Sequence, residues 1–109
     1  MIKNVYDDEV PKVVTIQETI IETPTVKTFV FPFEITEDIH PGQFVMVWDL
    51  TNEKPMTISI IDRENNLMGI TVRKAGPFTN NMYDNVDVGD KIGIRGPYGH
   101  GYDLSDYKK

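Results

Sequence analysis

The chain has no cysteine among its 109 residues. It therefore forms no disulfide, offers no thiolate to a metal or an iron-sulfur cluster, and has no cysteine nucleophile. Such a composition suits the cytoplasm. The two histidines, His40 and His100, lie far apart with no repeated carboxylate spacing beside them, which argues against a metal centre. No Ser/His/Asp set has the arrangement of a triad. No apolar run approaches the roughly 20 residues of a membrane-spanning helix. The acidic stretch Asp7-Asp8-Glu9 lacks the basic-then-apolar plan of a signal peptide, so a soluble, unexported protein is expected. Positive charge is scarce as well: eleven basic against seventeen acidic residues give a net charge of −6. The basic residues are scattered, and the field that attracts nucleic-acid phosphates is missing. Repeats and low-complexity segments are absent too, which removes solenoid and linker architectures.

What remains is a globular balance of 39% apolar and 26% charged residues, enough for a single small domain. Short β-prone runs alternate with turn residues. The runs fall at Lys12 to Ile21, Val26 to Phe33, Phe44 to Asp49, Met56 to Ile61, Leu67 to Lys74 and Lys91 to Arg95, which predicts six strands. Phe29, Phe31 and Phe33 share one face of the second run, with Thr28, Val30 and Pro32 on the other. Pro32 marks an edge or a bulge. A single short helix is expected after Thr79, with Thr79 as N-cap and Met82 and Val86 on its inner face. The pattern predicts an all-β fold, a barrel or sandwich of short antiparallel strands with one helix.

Three segments carry chemistry. In Lys54-Pro55-Met56-Thr57-Ile58-Ser59, alternation sends Lys54, Met56 and Ile58 one way and Pro55, Thr57 and Ser59 the other. A cation and a hydroxyl are thereby offered to a ligand. Gly76-Pro77-Phe78-Thr79 opens the helix, where unpaired backbone N–H groups and a partial positive charge suit a phosphate. Gly96-Pro97-Tyr98-Gly99-His100-Gly101 has the wrong glycine spacing for a dinucleotide fingerprint, and no helix follows it as a Rossmann unit requires. Trp48, at the end of an apolar run, reads as a core or rim residue.

In this order, the three segments resemble the FAD-binding domain of the ferredoxin reductase superfamily. Pro41-Gly42-Gln43-Phe44-Val45-Met46-Val47-Trp48 and Gly93-Ile94-Arg95-Gly96-Pro97-Tyr98-Gly99 narrow the likeness to the electron-transfer subunits of dihydroorotate dehydrogenase in their archaeal form. The resemblance implies a six-stranded antiparallel Greek-key barrel over residues 1–103, with residues 104–109 beginning a linker toward a nucleotide-binding domain. It implies that FAD is the cofactor and that Lys54 contacts phosphate. It places the Thr57 hydroxyl near the flavin ring, lets Pro55 and Met56 shape the pocket, and sets Gly76 and Thr79 against the pyrophosphate. Ile70 and Val72 are implied along the ribityl and ring region, though core packing explains both equally. Lysine departs from the family's usual arginine at position 54, giving a point charge in place of a two-pronged fork.

The likeness also implies a partner, an FMN-containing dihydroorotate dehydrogenase catalytic subunit. Electrons would pass from it through a 2Fe-2S centre and FAD to NAD, in pyrimidine biosynthesis. The cluster and the NAD site are expected outside this chain. The chain alone is accordingly expected to bind FAD weakly or not at all, and not to turn over NAD. Apolar surface around Tyr98 and Tyr102 is expected to promote self-association. Two alternatives stay open: the flavin domain of another oxidoreductase, such as sulfide dehydrogenase, hydrogenase or sulfite reductase, or a flavin-free assembly module.

Overall fold

The structure, a computed structural model, describes residues 10–37, 39–40 and 42–99. The chain runs through β1 (Lys12–Thr15), β2 (Glu18–Thr23), β3 (Val26–Pro32), β4 (Phe44–Trp48), β5 (Glu53–Asp62), β6 (Leu67–Arg73), α1 (Pro77–Asn85) and β7 (Lys91–Tyr98). The strands form one curled antiparallel half-barrel in the order β1-β7-β4-β5-β6-β3-β2.

Seven strands replace the expected six because the run from Lys12 bends at Ile16 and Gln17. The segment serves both ends of the sheet: β1 pairs with β7 while β2 pairs with β3. Backbone bonds hold the bend, with Ile16 N–H donating to Asp90 O at 2.8 Å and Gln17 N–H to Val30 O at 2.8 Å. Ile16 is 1% exposed, so the bend is also an anchor in the core.

Phe29 and Phe31 are wholly buried, as alternation along β3 requires. The opposite face is not open, however. Thr28 and Val30 are also buried, and only Pro32 is exposed. A buried hydroxyl needs partners, and Thr28 Oγ1 lies 2.8 Å from both Glu22 Oε2 and Thr71 Oγ1, while Thr71 donates to Ser59 Oγ at 2.8 Å. A row of polar side chains thus crosses β2, β3, β6 and β5. Pro32 lies past Val30, the last residue of β3 paired with β2, so its missing donor falls where only one neighbour remains.

The helix plugs one end of the half-barrel, with Phe78, Met82 and Val86 in the same buried cluster as Phe29, Phe31, Ile70 and Val72. It starts earlier than expected. Gly76 is the N-cap, Pro77 occupies the first turn, and Thr79 is the third helical residue. Proline's fixed φ and absent N–H favour that first position. β7 likewise runs past Arg95: Phe44 pairs with Tyr98 and Met46 with Arg95, so Gly96-Pro97 is a bulge within a strand, not the turn ending it. Trp48, half-buried, lies across β7. A Cβ on Gly93 would sit 2.8 Å from its ring atom Cε3, and this close approach requires glycine.

At the β5–β6 turn, Asp62 accepts from Asn65 Nδ2 at 2.9 Å and from Asn65 N–H at 3.0 Å. These bonds hold its carboxyl below the ordinary carboxylate value. The stabilisation is present above the unfolded pKa and is lost as pH falls through the lower folded value. NMR titration of the carboxylates is expected to show Asp62 protonating below a free aspartate, and an ordinary midpoint would contradict this. Phe31→Ala is expected to lower stability by about 3–5 kcal/mol in urea unfolding.

Candidate functional site

The site arises where two strands part. β5 pairs with β6 only from Ile58 to Asp62, with a register shift between Ile58 and Ile60. Before that point, Glu53 to Thr57 pair with β4 alone, while Thr71 to Arg73 of β6 pair with β3. The lips flare, and the start of α1 enters the gap. A hollow of about 440 Å³ results, lined by Lys54, Pro55 and Met56 from β5, Arg73 from β6, and Ala75 to Thr79 from the loop and helix.

Five of the eight residues implied by sequence meet here: Lys54, Pro55, Met56, Gly76 and Thr79. Thr57 does not line the hollow. It is exposed, in register with Phe44 of β4. Ile70 and Val72 are 0% exposed and belong to the core, so neither lines the hollow. Arg73 is the residue that sequence reasoning missed. The alternation that turns Ile70 and Val72 inward turns Arg73 outward, and that signal was available in the same run.

The chemistry of the hollow is anionic recognition. Its described lining holds two cationic side chains and no carboxylate, within a chain of net charge −6. The N–H groups of Phe78 and Thr79 precede the first intrahelical bond, Asn80 N–H to Gly76 O at 2.8 Å. They point from the positive end of the helix.

The Thr79 hydroxyl is committed to the loop itself. It accepts from Ala75 N–H at 2.8 Å and Gly76 N–H at 3.1 Å, and donates to Gly76 O at 3.2 Å. Its part is to hold the loop, as the reaching-back half of a capping box does. Gly76 is extended, at φ 177°, and a Cβ there would meet nothing within 4 Å. The fold places no demand for glycine at this position; the space in front of it is what a side chain would occupy.

Pro55 also borders a second, apolar hollow of about 470 Å³, with Phe44, Met46, Arg95 and Tyr98. The Phe44 and Tyr98 rings lie 5.6 Å apart at 48°. Arg95 is held by Glu53 through two bonds, of 2.7 and 2.6 Å. His40 is exposed; Tyr102, His100 and residues 104–109 lie outside the described residues. Among the described residues no group of three or more His, Cys, Asp or Glu is placed to hold a metal ion, and no helix is long and apolar enough to cross a membrane.

No protein-family model matches the chain. Curated proteins do. One from Methanothermobacter thermautotrophicus, named "Probable dihydroorotate dehydrogenase B (NAD(+)), electron transfer subunit", is 45% identical over 95 residues, covering 87% of this chain and 35% of its own length. One of the same name from Thermococcus kodakarensis is 39% identical over 92 residues, covering 84% of this chain and 36% of its own length. Over this half-barrel, the chain is a homologue of the dihydroorotate dehydrogenase electron transfer subunit.

The homologous region spans about a third of those relatives. Solved structures share the fold. An NADH-dependent reduced ferredoxin-NADP oxidoreductase studied for flavin-based electron bifurcation superposes with a TM-score of 0.72 at 22% identity, covering 83% of this chain and 34% of the other. The ferredoxin reductase of carbazole 1,9a-dioxygenase, described as an FAD apo form, gives 0.67 at 14% identity over 84% of this chain and 30% of the other.

The loop geometry separates two roles. Gly76→Ala is expected to leave stability unchanged or raise it by about 0.4–1 kcal/mol, because the unfolded chain loses freedom while nothing clashes. Thr79→Val, which orphans two N–H groups, is expected to cost about 1 kcal/mol. Urea unfolding of the two variants tests both signs, and a clear loss for Gly76→Ala would show that the space is not open.

Proposed function

We propose that this half-barrel is the flavin-binding unit of an electron transfer subunit. It holds FAD with the pyrophosphate in the hollow between β5 and the start of α1. The observation that carries the reading is the composition of that hollow: Lys54 and Arg73, a helix N-terminus, and open space before Gly76, with no opposing carboxylate in its described lining. A pyrophosphate gives up water when bound against protein, and such donors replace it. Lys54 and Arg73 close on the two phosphates from opposite lips. Arg73 supplies the planar fork that lysine at position 54 lacks.

A dinucleotide also carries ring systems, and Pro55 stands between the charged hollow and the apolar one. Met56 and Pro55 offer apolar contact to a ring, and Thr57 offers a hydroxyl on the same side of β5 as Pro55. Ile70 and Val72 support the site from the core behind it. Thr79 acts by keeping the Ala75-Gly76 loop in shape. Bound flavin supplies the redox chemistry, and this chain's residues bind and orient it.

The names of the relatives support the wider role, in which electrons pass between a partner dehydrogenase and NAD during dihydroorotate oxidation; we place that role in the cytoplasm. An FMN-containing catalytic subunit is the partner in that reading, and 2Fe-2S and NAD sites belong to sequence beyond the described half-barrel. We read the crossing order, with β3 paired to β6 and β7 inserted between β1 and β4, as the Greek-key arrangement.

Titration of FAD against the chain, followed by flavin fluorescence and amide NMR, tests the reading. Removing a charged contact to phosphate is worth about 1.5–3 kcal/mol. Lys54→Met and Arg73→Met are thus each expected to weaken binding roughly ten- to a hundredfold. Gly76→Val is expected to weaken it while the fold persists. Equal affinity in all three variants would move the ligand elsewhere, and no interaction at millimolar FAD, either with this chain or with it extended by the further sequence its relatives carry, would favour a flavin-free assembly module.

A further inference from the structure

Lys27 is a lysine where a barrel interior calls for an apolar residue. It sits on the inward face of β3 with Phe29 and Phe31, is 7% exposed, and has no carboxylate among its described partners. A buried ammonium is costly unless its donors are satisfied. Here Nζ donates to Tyr83 O and Val86 O, each at 3.1 Å, and lies 5.2 Å from the Phe29 ring centroid and 5.6 Å from that of Tyr83. Tyr83 O belongs to the last turn of α1, where the helix leaves carbonyls without intrahelical partners and its dipole is negative, and Val86 O belongs to the C-cap that follows. One side chain of the sheet thus satisfies two orphan acceptors and the dipole together.

The opposite end of α1 is the start that enters the hollow. A helix of nine residues is not stable alone, and its placement is set by what it is fastened to. Phe78, Met82 and Val86 bury its apolar stripe, but apolar contact is non-directional and tolerates small slides. Directional bonds do not. Those at the C-terminal end are the two from Lys27, the bond from Tyr83 Oη to Thr23 O at 3.0 Å, and the exposed pair Lys74–Asp84 at 2.9 Å.

We propose that Lys27 is a positioning residue for the anion site. By clamping the C-terminal carbonyls of α1 it fixes the axial position of the helix, and with it the place of the Phe78 and Thr79 N–H groups in the hollow. This rests on the phosphate-binding reading above and adds a residue that lies behind the site and touches no ligand.

The experiment uses the whole chain, inorganic pyrophosphate as the probe, and the Phe78 and Thr79 amide shifts in NMR as the readout, with Tm from circular dichroism. The wild type is expected to show saturable shifts at both amides. Lys27→Met is expected to bind pyrophosphate about tenfold more weakly while folded, and Lys27→Arg to recover most of that loss. Val86→Ala trims the buried stripe and leaves the backbone carbonyl in place, so it is expected to lower Tm without weakening pyrophosphate. Should Lys27→Met fail to fold, Lys27→Gln carries the test, since its shorter amide cannot span both carbonyls; it too is expected to bind more weakly.

Unchanged affinity in whichever of these variants folds would overturn the clamp. Equal weakening in Val86→Ala would also overturn it, by showing that any loss of packing suffices. Absence of shifts in the wild type would instead sink the phosphate reading, and the clamp with it.

Discussion

The hollow depends on β5 leaving β6 at Ile58. Beyond the register shift between Ile58 and Ile60, backbone pairing goes to β4 on one side and to β3 on the other. The open lips would expose the Phe29, Ile70 and Val72 interior if nothing filled them. α1 fills them with Phe78, Met82 and Val86. The same packing that protects the core brings a helix N-terminus between two strands, so one solution to a burial problem creates a surface for anions. The hollow is a consequence of the topology, and the residues on its lips decide what it holds.

Charge follows the same division. The chain is acidic overall, yet cations stand at both ends of the helix: Lys54 and Arg73 around its start, and Lys27 and Lys74 beside its finish. The cations at the finish complement the negative end of the dipole. Those at the start share one hollow with its positive end, an arrangement that an anion complements. At the far end Lys27 is buried against the Tyr83 and Val86 carbonyls.

Much of this was legible in the sequence, for identifiable reasons. Alternation sets Phe29 and Phe31 on one face of β3, and it allows core packing for Ile70 and Val72, which are 0% exposed where the resemblance implies ring contact. The motifs at Lys54 to Ser59 and at Gly76 to Thr79 converge as their spacing suggested. The bend at Ile16 was not legible, because no breaker interrupts Lys12 to Ile21; it exists only because one run must serve two ends of a sheet. The helix start was misplaced by three residues because Thr79 was read as a cap, although Pro77 at the first position is the stronger signal. Gly96-Pro97 follows the last β-prone run, Lys91 to Arg95, yet lies within β7 as a bulge, which only the pairing of Phe44 with Tyr98 reveals. Lys27 gave no signal, since its partners are carbonyls far along the chain.

The central claim is that the hollow between β5 and α1 recognises the phosphates of a flavin dinucleotide. Its most direct test compares FAD with riboflavin, which keeps the ring and lacks the phosphates, in parallel amide NMR titrations of the chain. The account predicts saturable shifts at Lys54, Arg73, Phe78 and Thr79 with FAD, and affinity for riboflavin lower by about tenfold or more. Equal affinity for the two, or shifts with FAD that avoid those four residues, would contradict it.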